Sequence, residues 1–401
     1  MENRAAVNRF ERHRGRTIAV LWTVILGLAL VATEAVLRST EDLAVSQPGL
    51  GSLTPQRYVE LREWQPGMKF RAAPPQVRRD NPGGPVLDVY PMDIDEDGFI
   101  KPSRVHAKPD LTIVFLGGST TEAMYVAPEM RFPYLVGRLL EQRTGLKVNS
   151  INAGRSGNNA MLSSAIMLGK LLPLHPDYVV IMSNGTDLGV LSRLGTYWND
   201  SSDFAVVRPE RRGIERGVSL VRDALIPGIY RAYRQAALRA RMWRKSAPPS
   251  ELPAVPPPSL EGQREHWPEW GRDYGSALRQ LIDTARAWRV HPVLMTEPVE
   301  GFDPAVGQGE YRAAPPLEGG EFSAAGFADP HEYFNGIARQ VAQESKAGLI
   351  DLMALGGWNR SQLYDGMHFN DAGSAHAAAA IAEALEPMIK ADRLAQRAAT
   401  N

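Results

Sequence analysis

The chain has 401 residues, of which 22% are charged and 44% are hydrophobic, an ordinary globular composition. Lysine and arginine together number 45, and so do aspartate and glutamate, so the formal net charge is zero. This balance gives no electrostatic reason to expect a nucleic-acid partner. Cysteine is absent, which excludes disulfides, thiolate metal ligands and a cysteine nucleophile.

The N-terminal segment is predicted to anchor the chain in a membrane. Residues 17–37 are nearly all apolar, with Glu34 the only charge, and about 20 such residues span a bilayer core. The basic flank before this stretch favours a cytoplasmic N-terminus over 1–16. We therefore expect a transmembrane helix over 17–38, with the rest of the chain outside the cytoplasm, on the periplasmic side. A cleaved signal peptide or a buried core helix is the alternative, but the stretch is long and no clear cleavage site follows it.

Residues 39–110 are rich in Pro, Gly and charged side chains and are predicted to form a juxtamembrane lead-in that packs on the main domain. Within it, Asp93, Asp95 and Asp97 have the spacing that begins a calcium loop. Such a loop needs glutamate at its twelfth position, which here is Arg104. We interpret this segment as a turn.

From residue 111 onward, apolar runs of strand length alternate with helical patterns. The predicted strands are 111–116, 148–151, 178–182, 293–296 and 349–352. The predicted helices are 132–144, 161–172, 274–288, 332–344 and 371–389. This alternation predicts βαβ units, and therefore a parallel sheet covered on both faces. In such sheets the reactive groups gather at the carboxyl ends of the strands.

An insertion is predicted from 199 to about 272, where the alternation stops. It contains a basic helical segment at 217–245 and a Pro-rich stretch at 248–258. The basic face could bind anionic lipid or a polyanionic substrate, but a solvated helix face is the preferred interpretation. The main domain is expected over 111–390, followed by a C-terminal tail at 391–401.

A glycine-rich turn follows the first predicted strand. The strand runs directly into the sequence GGSTTE, which begins at Gly117 and contains Ser119. Such a turn exposes a hydroxyl at the end of a strand. It also leaves backbone N–H groups free at a helix start, where they can hold a developing oxyanion. For this segment alone, a helix cap or a phosphate-binding turn is the alternative.

A base for this serine is predicted near the C-terminus. Asp365 lies three residues before His368, on a short loop that precedes an alanine-rich helix. One turn can fold the carboxylate onto the imidazole, where it sets the tautomer and stabilises the imidazolium. An isolated motif of this kind would be better read as a turn cap beside a surface histidine. Among the other histidines, only His331 is kept as a reserve base.

These two segments resemble the first and last sequence blocks of the SGNH/GDSL hydrolases, in the variant that carries Gly-Gly-Ser-Thr-Thr. The resemblance covers about residues 111–389. It implies an α/β fold, a flavodoxin-like three-layer sandwich with about five parallel strands. It also implies a serine esterase in which Ser119 is the nucleophile and His368, oriented by Asp365, is the base. No metal or cofactor is implied.

The resemblance also implies the donors of an oxyanion hole. One is the N–H of Ser119, and the sequence NAGRSGNN after the second strand places the family's donor glycine at Gly157, which a tight turn would also require. The third block departs from the family's Gly-x-Asn-Asp, because Thr186 stands at the asparagine position and Asn184 at the glycine position. We expect Asn184 or Thr186 to be the third donor. Loss of one such donor typically lowers the rate by about 10²–10³.

The predicted function is hydrolysis of carboxylic esters that carry an acetyl or another short acyl group. The expected partners are an acylated carbohydrate or lipid of the envelope and, through the N-terminal helix, a membrane. A polysaccharide O-acetyltransferase, in which a sugar hydroxyl replaces water, is the alternative within enzymes. A non-catalytic glycan-binding component of an envelope assembly is the alternative from another class, and Thr186 is the residue that motivates it.

Overall fold

The computed structural model describes residues 18, 20–26, 57–59, 61–199, 201, 204–209, 261–300 and 324–400. The chain forms two compact units, Met1–Gln56 and Arg57–Asn401. In the first unit, residues 20–26 are helical and their large apolar side chains are exposed. No helix within the described ranges is both long and apolar enough to cross a bilayer. Most of the predicted anchor at 17–38 lies outside the described residues, as do the predicted segments 217–245 and 248–258.

The second unit contains both strands and helices. The strands are β1 (Arg57–Val59), β2 (Lys69–Ala72), β3 (Tyr90–Asp93), β4 (Leu111–Gly117), β5 (Val148–Asn152), β6 (Tyr178–Met182), β7 (Val207–Pro209), β8 (His291–Met295) and β9 (Gly348–Ile350). The α-helices are α1 (Gln76–Asp80), α2 (Ser119–Glu122), α3 (Phe132–Thr144), α4 (Ala160–Ile166), α5 (Gly185–Leu194), α6 (Trp267–Ala287), α7 (Ala324–Ser345) and α8 (Asp371–Thr400). Helix α4 continues as a π-helical turn over Met167–Leu171.

Five of these strands form one parallel sheet in the order β5-β4-β6-β8-β9. Counted along the chain, this is the order 2-1-3-4-5 of doubly wound sheets such as flavodoxin. All residues of β5 and β6 are buried, as expected for strands covered on both faces. The predicted parallel sheet of about five strands is confirmed. Its carboxyl edge begins at the end of β4, where the glycine-rich turn starts.

Helices cover both faces of the sheet, because successive side chains of a strand point to opposite sides. On one face Val114 and Leu116 of β4 belong to an apolar cluster that includes residues of α4, α5, α6 and α7. On the other face Ile113 and Phe115 belong to a second cluster that includes residues of α3 and α8. The domain therefore has three layers, with the sheet in the middle.

The segment before β4 contacts this domain. Strands β2 and β3 form an antiparallel hairpin, and Ile100 pairs with Asn152 at the end of β5. The Arg62 guanidinium donates to the carbonyl of Ser156 at 2.9 Å. These contacts place the segment beside the loop that follows β5.

Several element boundaries differ from the sequence-based expectation, among them the start of α6 and the end of α8. Helix α6 begins at Trp267 and buries Trp267, Trp270 and Tyr274, so it starts before the predicted helix at 274–288. Their spacing puts these three side chains on one apolar helix face. Helix α8 runs to Thr400 and therefore includes most of the predicted tail at 391–401, because alanine, leucine and arginine continue the helix there.

Candidate active site

The serine turn is built on a glycine that no other residue could replace without movement. Gly117 ends β4, and a Cβ atom added to it would lie 2.4 Å from the carbonyl oxygen of Met182 on the neighbouring strand. Ser119 is the first residue of the one-turn helix α2, so its N–H has no acceptor within the helix. Ala123 ends the helix with a left-handed φ of 52°. The turn thus directs Ser119 out of the carboxyl edge of the sheet.

The structure brings Ser119, His368 and Asp365 together, although 249 residues separate the serine from the histidine. Ser119 Oγ lies 2.7 Å from His368 Nε2, and His368 Nδ1 lies 2.7 Å from Asp365 Oδ2. The other carboxylate oxygen of Asp365 accepts the N–H of His368 at 2.8 Å and that of Met367 at 3.1 Å. Gly366, with a φ of 94°, makes the tight turn that this folding back requires.

The charges of this pair stabilise one another. Burial by itself would lower the pKa of His368, but the charge and hydrogen bond of Asp365, with smaller effects of Glu297 and Glu122, raise that pKa above its ordinary value. Burial by itself would raise the pKa of Asp365, but the charge and hydrogen bonds of His368 lower it. The imidazole is therefore suited to accept a proton from Ser119 while Asp365 stays ionised.

Gly157 lies in the loop that follows β5. Its φ of 82° favours glycine, and a Cβ atom added there would lie 2.5 Å from Arg62 Nη2. The loop lies against the serine turn, since the carbonyl oxygen of Asn158 is 3.4 Å from the position that a Cβ atom on Gly118 would take. This packing puts the Gly157 loop and the Ser119 turn side by side.

The two candidates for a third donor point in different directions. The Asn184 amide is buried and donates to the carbonyl of His331 at 2.9 Å and to Asn335 Oδ1 at 2.8 Å. Thr186 Oγ1, by contrast, lies 3.2 Å from the position that a Cβ atom on Gly118 would take. Because its N–H groups are already used, Asn184 is not free to act as the predicted donor in this structure, and Thr186 remains the other candidate for that role.

Asp187 links the start of α5 to the start of α4, which directly follows the NAGRSGNN sequence. Its fully buried carboxylate accepts the N–H of Ala160 at 2.8 Å, the hydroxyl of Tyr197 at 2.6 Å and the hydroxyl of Ser183. Burial raises its pKa to about 6, although these three hydrogen bonds favour the ionised form. The hydrogen bonds of Asp187 therefore stabilise the start of α5, and none of them is made to Ser119.

Sequence reasoning missed Glu297, which lies beside His331, the histidine that was kept as a reserve base. His331 is 0% exposed, and its Nε2 lies 3.3 Å from Glu297 Oε2, whereas the ring nitrogen at Ser119 Oγ is His368 Nε2. The signal for Glu297 is a charged residue directly after a buried strand, at the carboxyl edge of the sheet.

A cavity of about 410 Å³ opens beside Ser119 and His368. Its wall is mostly apolar and includes Met124, Tyr125 and Tyr364, and the Tyr364 ring stacks on the His368 imidazole with 5.7 Å between the ring centroids. A larger cavity of about 600 Å³ lies at the amino edge of the sheet and holds none of the groups described above. The cavity beside Ser119 is therefore the one suited to a substrate.

Comparison with solved structures gave weak overall likeness. The acetylxylan esterase Axe2 from Geobacillus stearothermophilus is 15% identical, with 69% of this chain and 92% of that chain covered and a TM-score of 0.38. LAE5, an alpha/beta hydrolase from the metagenome of Lake Arreo, is 16% identical, with 69% and 94% covered and a TM-score of 0.39. A GDSL-like lipase by description, from Parabacteroides merdae, is 14% identical, with 70% and 97% covered and a TM-score of 0.40. At these scores the likeness carries no argument about substrate. No curated protein sequence matches the chain.

A family model gives the stronger result. The model of the GDSL-like lipase/acylhydrolase family matches residues 115–376, well over half of the chain. The match begins within β4, just before the serine turn, and ends in α8, after the Asp365–His368 loop. The chain therefore belongs to the GDSL-like lipase/acylhydrolase family and is a serine hydrolase that acts on ester bonds.

Proposed function

We propose that the chain hydrolyses short acyl esters, acetyl esters above all, on a polysaccharide or lipid of the cell envelope. One observation carries the chemistry: Ser119 Oγ lies 2.7 Å from His368 Nε2, whose other ring nitrogen lies 2.7 Å from Asp365 Oδ2. A serine hydroxyl becomes a good nucleophile only when a base of this kind takes its proton. The cavity beside these residues supports binding of an ester there.

The reaction runs in two halves. Ser119 Oγ attacks the ester carbonyl while its proton moves to His368 Nε2. The N–H groups of Ser119 and Gly157 and the hydroxyl of Thr186 hold the oxyanion. The intermediate then collapses, the leaving alcohol takes the proton from His368, and the acyl group remains on Ser119. Water attacks this acyl-enzyme, gives its proton to His368, and releases the carboxylic acid as the serine regains its proton.

Substitution of the reacting side chains tests this assignment. Ser119→Ala and His368→Ala should each lower p-nitrophenyl acetate hydrolysis by about 10³-fold or more, because neither variant can form the acyl-enzyme at a useful rate. Ser276→Ala, which changes an exposed serine of α6, is the matched control and should keep full activity. A fluorophosphonate probe should label Ser119 in the control but not in Ser119→Ala. Full turnover by both site variants would reject the proposal.

The proposed location outside the cytoplasm rests on the N-terminal segment. Residues 17–37 carry one charge, and the described helical residues 20–26 expose large apolar side chains that a bilayer would bury. Protease added to intact spheroplasts should cleave the catalytic domain, and carbonate washing should leave the protein in the membrane fraction. Release of the protein by carbonate would contradict the anchor without affecting the proposed chemistry.

A further inference from the structure

Glu297 and His331 form a buried pair between the carboxyl end of β8 and helix α7, and the reaction described above does not use this pair directly. Glu297 follows β8 and is 7% exposed, while His331 lies on α7 and is 0% exposed. Glu297 Oε2 and His331 Nε2 are 3.3 Å apart. Removing a charge from water is costly unless it is paired and hydrogen-bonded. The hydrogen-bond partners of Glu297 and His331 therefore indicate which part of the fold the pair stabilises.

Glu297 holds the beginning of α5. Its Oε2 accepts the N–H of Gly185, the first residue of that helix, at 2.8 Å. Such N–H groups have no partner inside a helix, and a carboxylate is favourable beside them. The fit is close, because a Cβ atom added to Gly185 would lie 2.9 Å from Met367 Sδ and 3.2 Å from Glu297 Oε2. The next residue along the helix is Thr186.

His331 and Asn335 complete the support on the side of α7. The carbonyl of His331 and Oδ1 of Asn335 both accept from the Asn184 amide, at 2.9 and 2.8 Å. Asn335 also accepts the N–H of Glu297 at 3.1 Å and donates to the Glu297 carbonyl at 2.9 Å. The network thus fixes residues 184 and 185 from two elements, and the Thr186 hydroxyl oxygen lies 3.2 Å from the position of a Cβ atom on Gly118.

We propose that Glu297 and His331 are positioning residues that hold Thr186 as the third oxyanion donor, in place of the asparagine amide that the family uses. Neither residue touches the substrate; both act through the start of α5. The inference rests on the proposed hydrolysis at Ser119. It assigns to Thr186 the role that the asparagine of the third block has in the family.

The charge of Glu297 has a second effect on the site. It is one of the groups that raise the pKa of His368, after Asp365, which is the largest, and together with Glu122. Glu122 itself is paired with Arg155 at 3.4 Å, and Glu300 in the adjoining loop is paired with Arg360 at 2.6 Å. Glutamine at position 297 can keep an oxygen towards Gly185 but carries no charge. Such a variant should therefore lower the pKa of His368.

A double-mutant cycle tests the positioning role in the full-length protein. Thr186→Val removes the hydroxyl at nearly constant shape and should lower kcat by about 10²-fold with little change in KM, whereas Thr186→Ser should keep most of the activity. Glu297→Ala should cause a similar loss, but the double variant Thr186→Val/Glu297→Ala should lose no more than Thr186→Val alone, because both changes remove one donor. Glu297→Gln should retain more kcat than Glu297→Ala and move the acidic limb of the kcat/KM profile to lower pH.

Glu383→Gln, on the exposed side of α8, is the matched control and should leave both kcat and the pH profile unchanged. Wild-type kcat in Thr186→Val, or losses that multiply in the double variant, would overturn the positioning role.

If the Glu297 variants do not fold, as judged by circular dichroism, the Thr186 series still decides whether this hydroxyl is a donor. Ser119→Ala measured in parallel separates the two ideas. Wild-type activity in Ser119→Ala would reject the hydrolysis mechanism itself, while loss of activity in Ser119→Ala beside a fully active Thr186→Val would reject only the inference.

Discussion

The role of Asp365 can be separated from that of His368 by a single oxygen-to-nitrogen change. Asp365→Asn keeps the size of the side chain but removes the charge that raises the pKa of His368. We expect kcat to fall by about 10²–10⁴-fold, because the imidazole loses its orientation and the imidazolium its counter-charge. Since the base works only when neutral, activity appears above its pKa, so a lower pKa should shift the acidic limb of kcat/KM to lower pH. The pH–rate profile measures both effects, and Asp283→Asn on the exposed face of α6 should change neither.

Asp187 makes a pH-dependent contribution to stability, not to chemistry. Its pKa is raised from 3.8 to about 6 in the folded chain, mainly by burial, so the folded state favours the protonated form. Its contribution is therefore fully present below pH 3.8 and is lost as the pH rises through about 6. At about 1.4 kcal/mol per unit, the loss is roughly 3 kcal/mol.

Asp187→Asn should remove this dependence. Urea unfolding at pH 4 and pH 7 gives the change in the free energy of unfolding with pH. That change should differ by roughly 3 kcal/mol between the wild type and Asp187→Asn, with the wild type losing more stability towards neutral pH. If the free energy of unfolding changed by the same amount between pH 4 and pH 7 in both proteins, Asp187 would have its ordinary pKa in the folded chain.

At the scale of elements, the close contact between the loop after β5 and helix α2 defines the site. A Cβ atom on Gly154 would lie 2.4 Å from the N atom of Glu122 and 2.6 Å from the carbonyl carbon of Thr121. Both are backbone atoms, so Gly154→Ala must move α2 and with it Ser119. We expect a loss of about 1–3 kcal/mol in the free energy of unfolding and a clear fall in kcat.

Gly336 provides the contrasting case within the same fold. It lies inside α7, and a Cβ atom added there meets nothing within 4 Å. Gly336→Ala should therefore leave kcat unchanged and raise the free energy of unfolding by up to about 1 kcal/mol, because alanine has less backbone freedom to lose. Equal effects of the two substitutions would contradict the close packing inferred at Gly154.

The elements themselves were largely predictable, for a physical reason. Strand β6 and helix α3 have the predicted bounds, because an apolar run or a helical period is a local property of the sequence. The pairing of Ser119 with His368 was predicted from the resemblance of their two segments to the family's first and last blocks, with support from the rule that loops gather at the carboxyl edge of a parallel sheet. The use of Asn184 was not predictable, since its partners on α7 lie about 150 residues away and only the packed layers bring them together.

At the scale of the whole molecule, a buried arginine joins the segment before β4 to the serine turn. Arg131 is 1% exposed and donates to the carbonyls of Lys101 at 2.7 Å, Pro91 at 2.8 Å and Ala123 at 3.3 Å. Burial lowers its pKa to about 10, which still leaves the guanidinium charged at neutral pH. Sequence patterns gave no sign of this residue, because a single arginine before a helix usually lies at the surface.

Arg131→Met tests whether the two parts of the unit depend on each other. Methionine would fill much of the space but leave three carbonyls without their donor, one of them in a buried and two in a partly buried hydrogen bond, at a cost of roughly 2–5 kcal/mol in the free energy of unfolding. Arg138→Met, on the exposed side of α3, removes a surface ion pair with Glu141 and should cost less than about 1 kcal/mol. Because Ala123 ends the helix that begins at Ser119, Arg131→Met should also lower kcat in the protein that remains folded. Destabilisation with an unchanged kcat would mean that the segment before β4 supports the fold but has no part in shaping the active site.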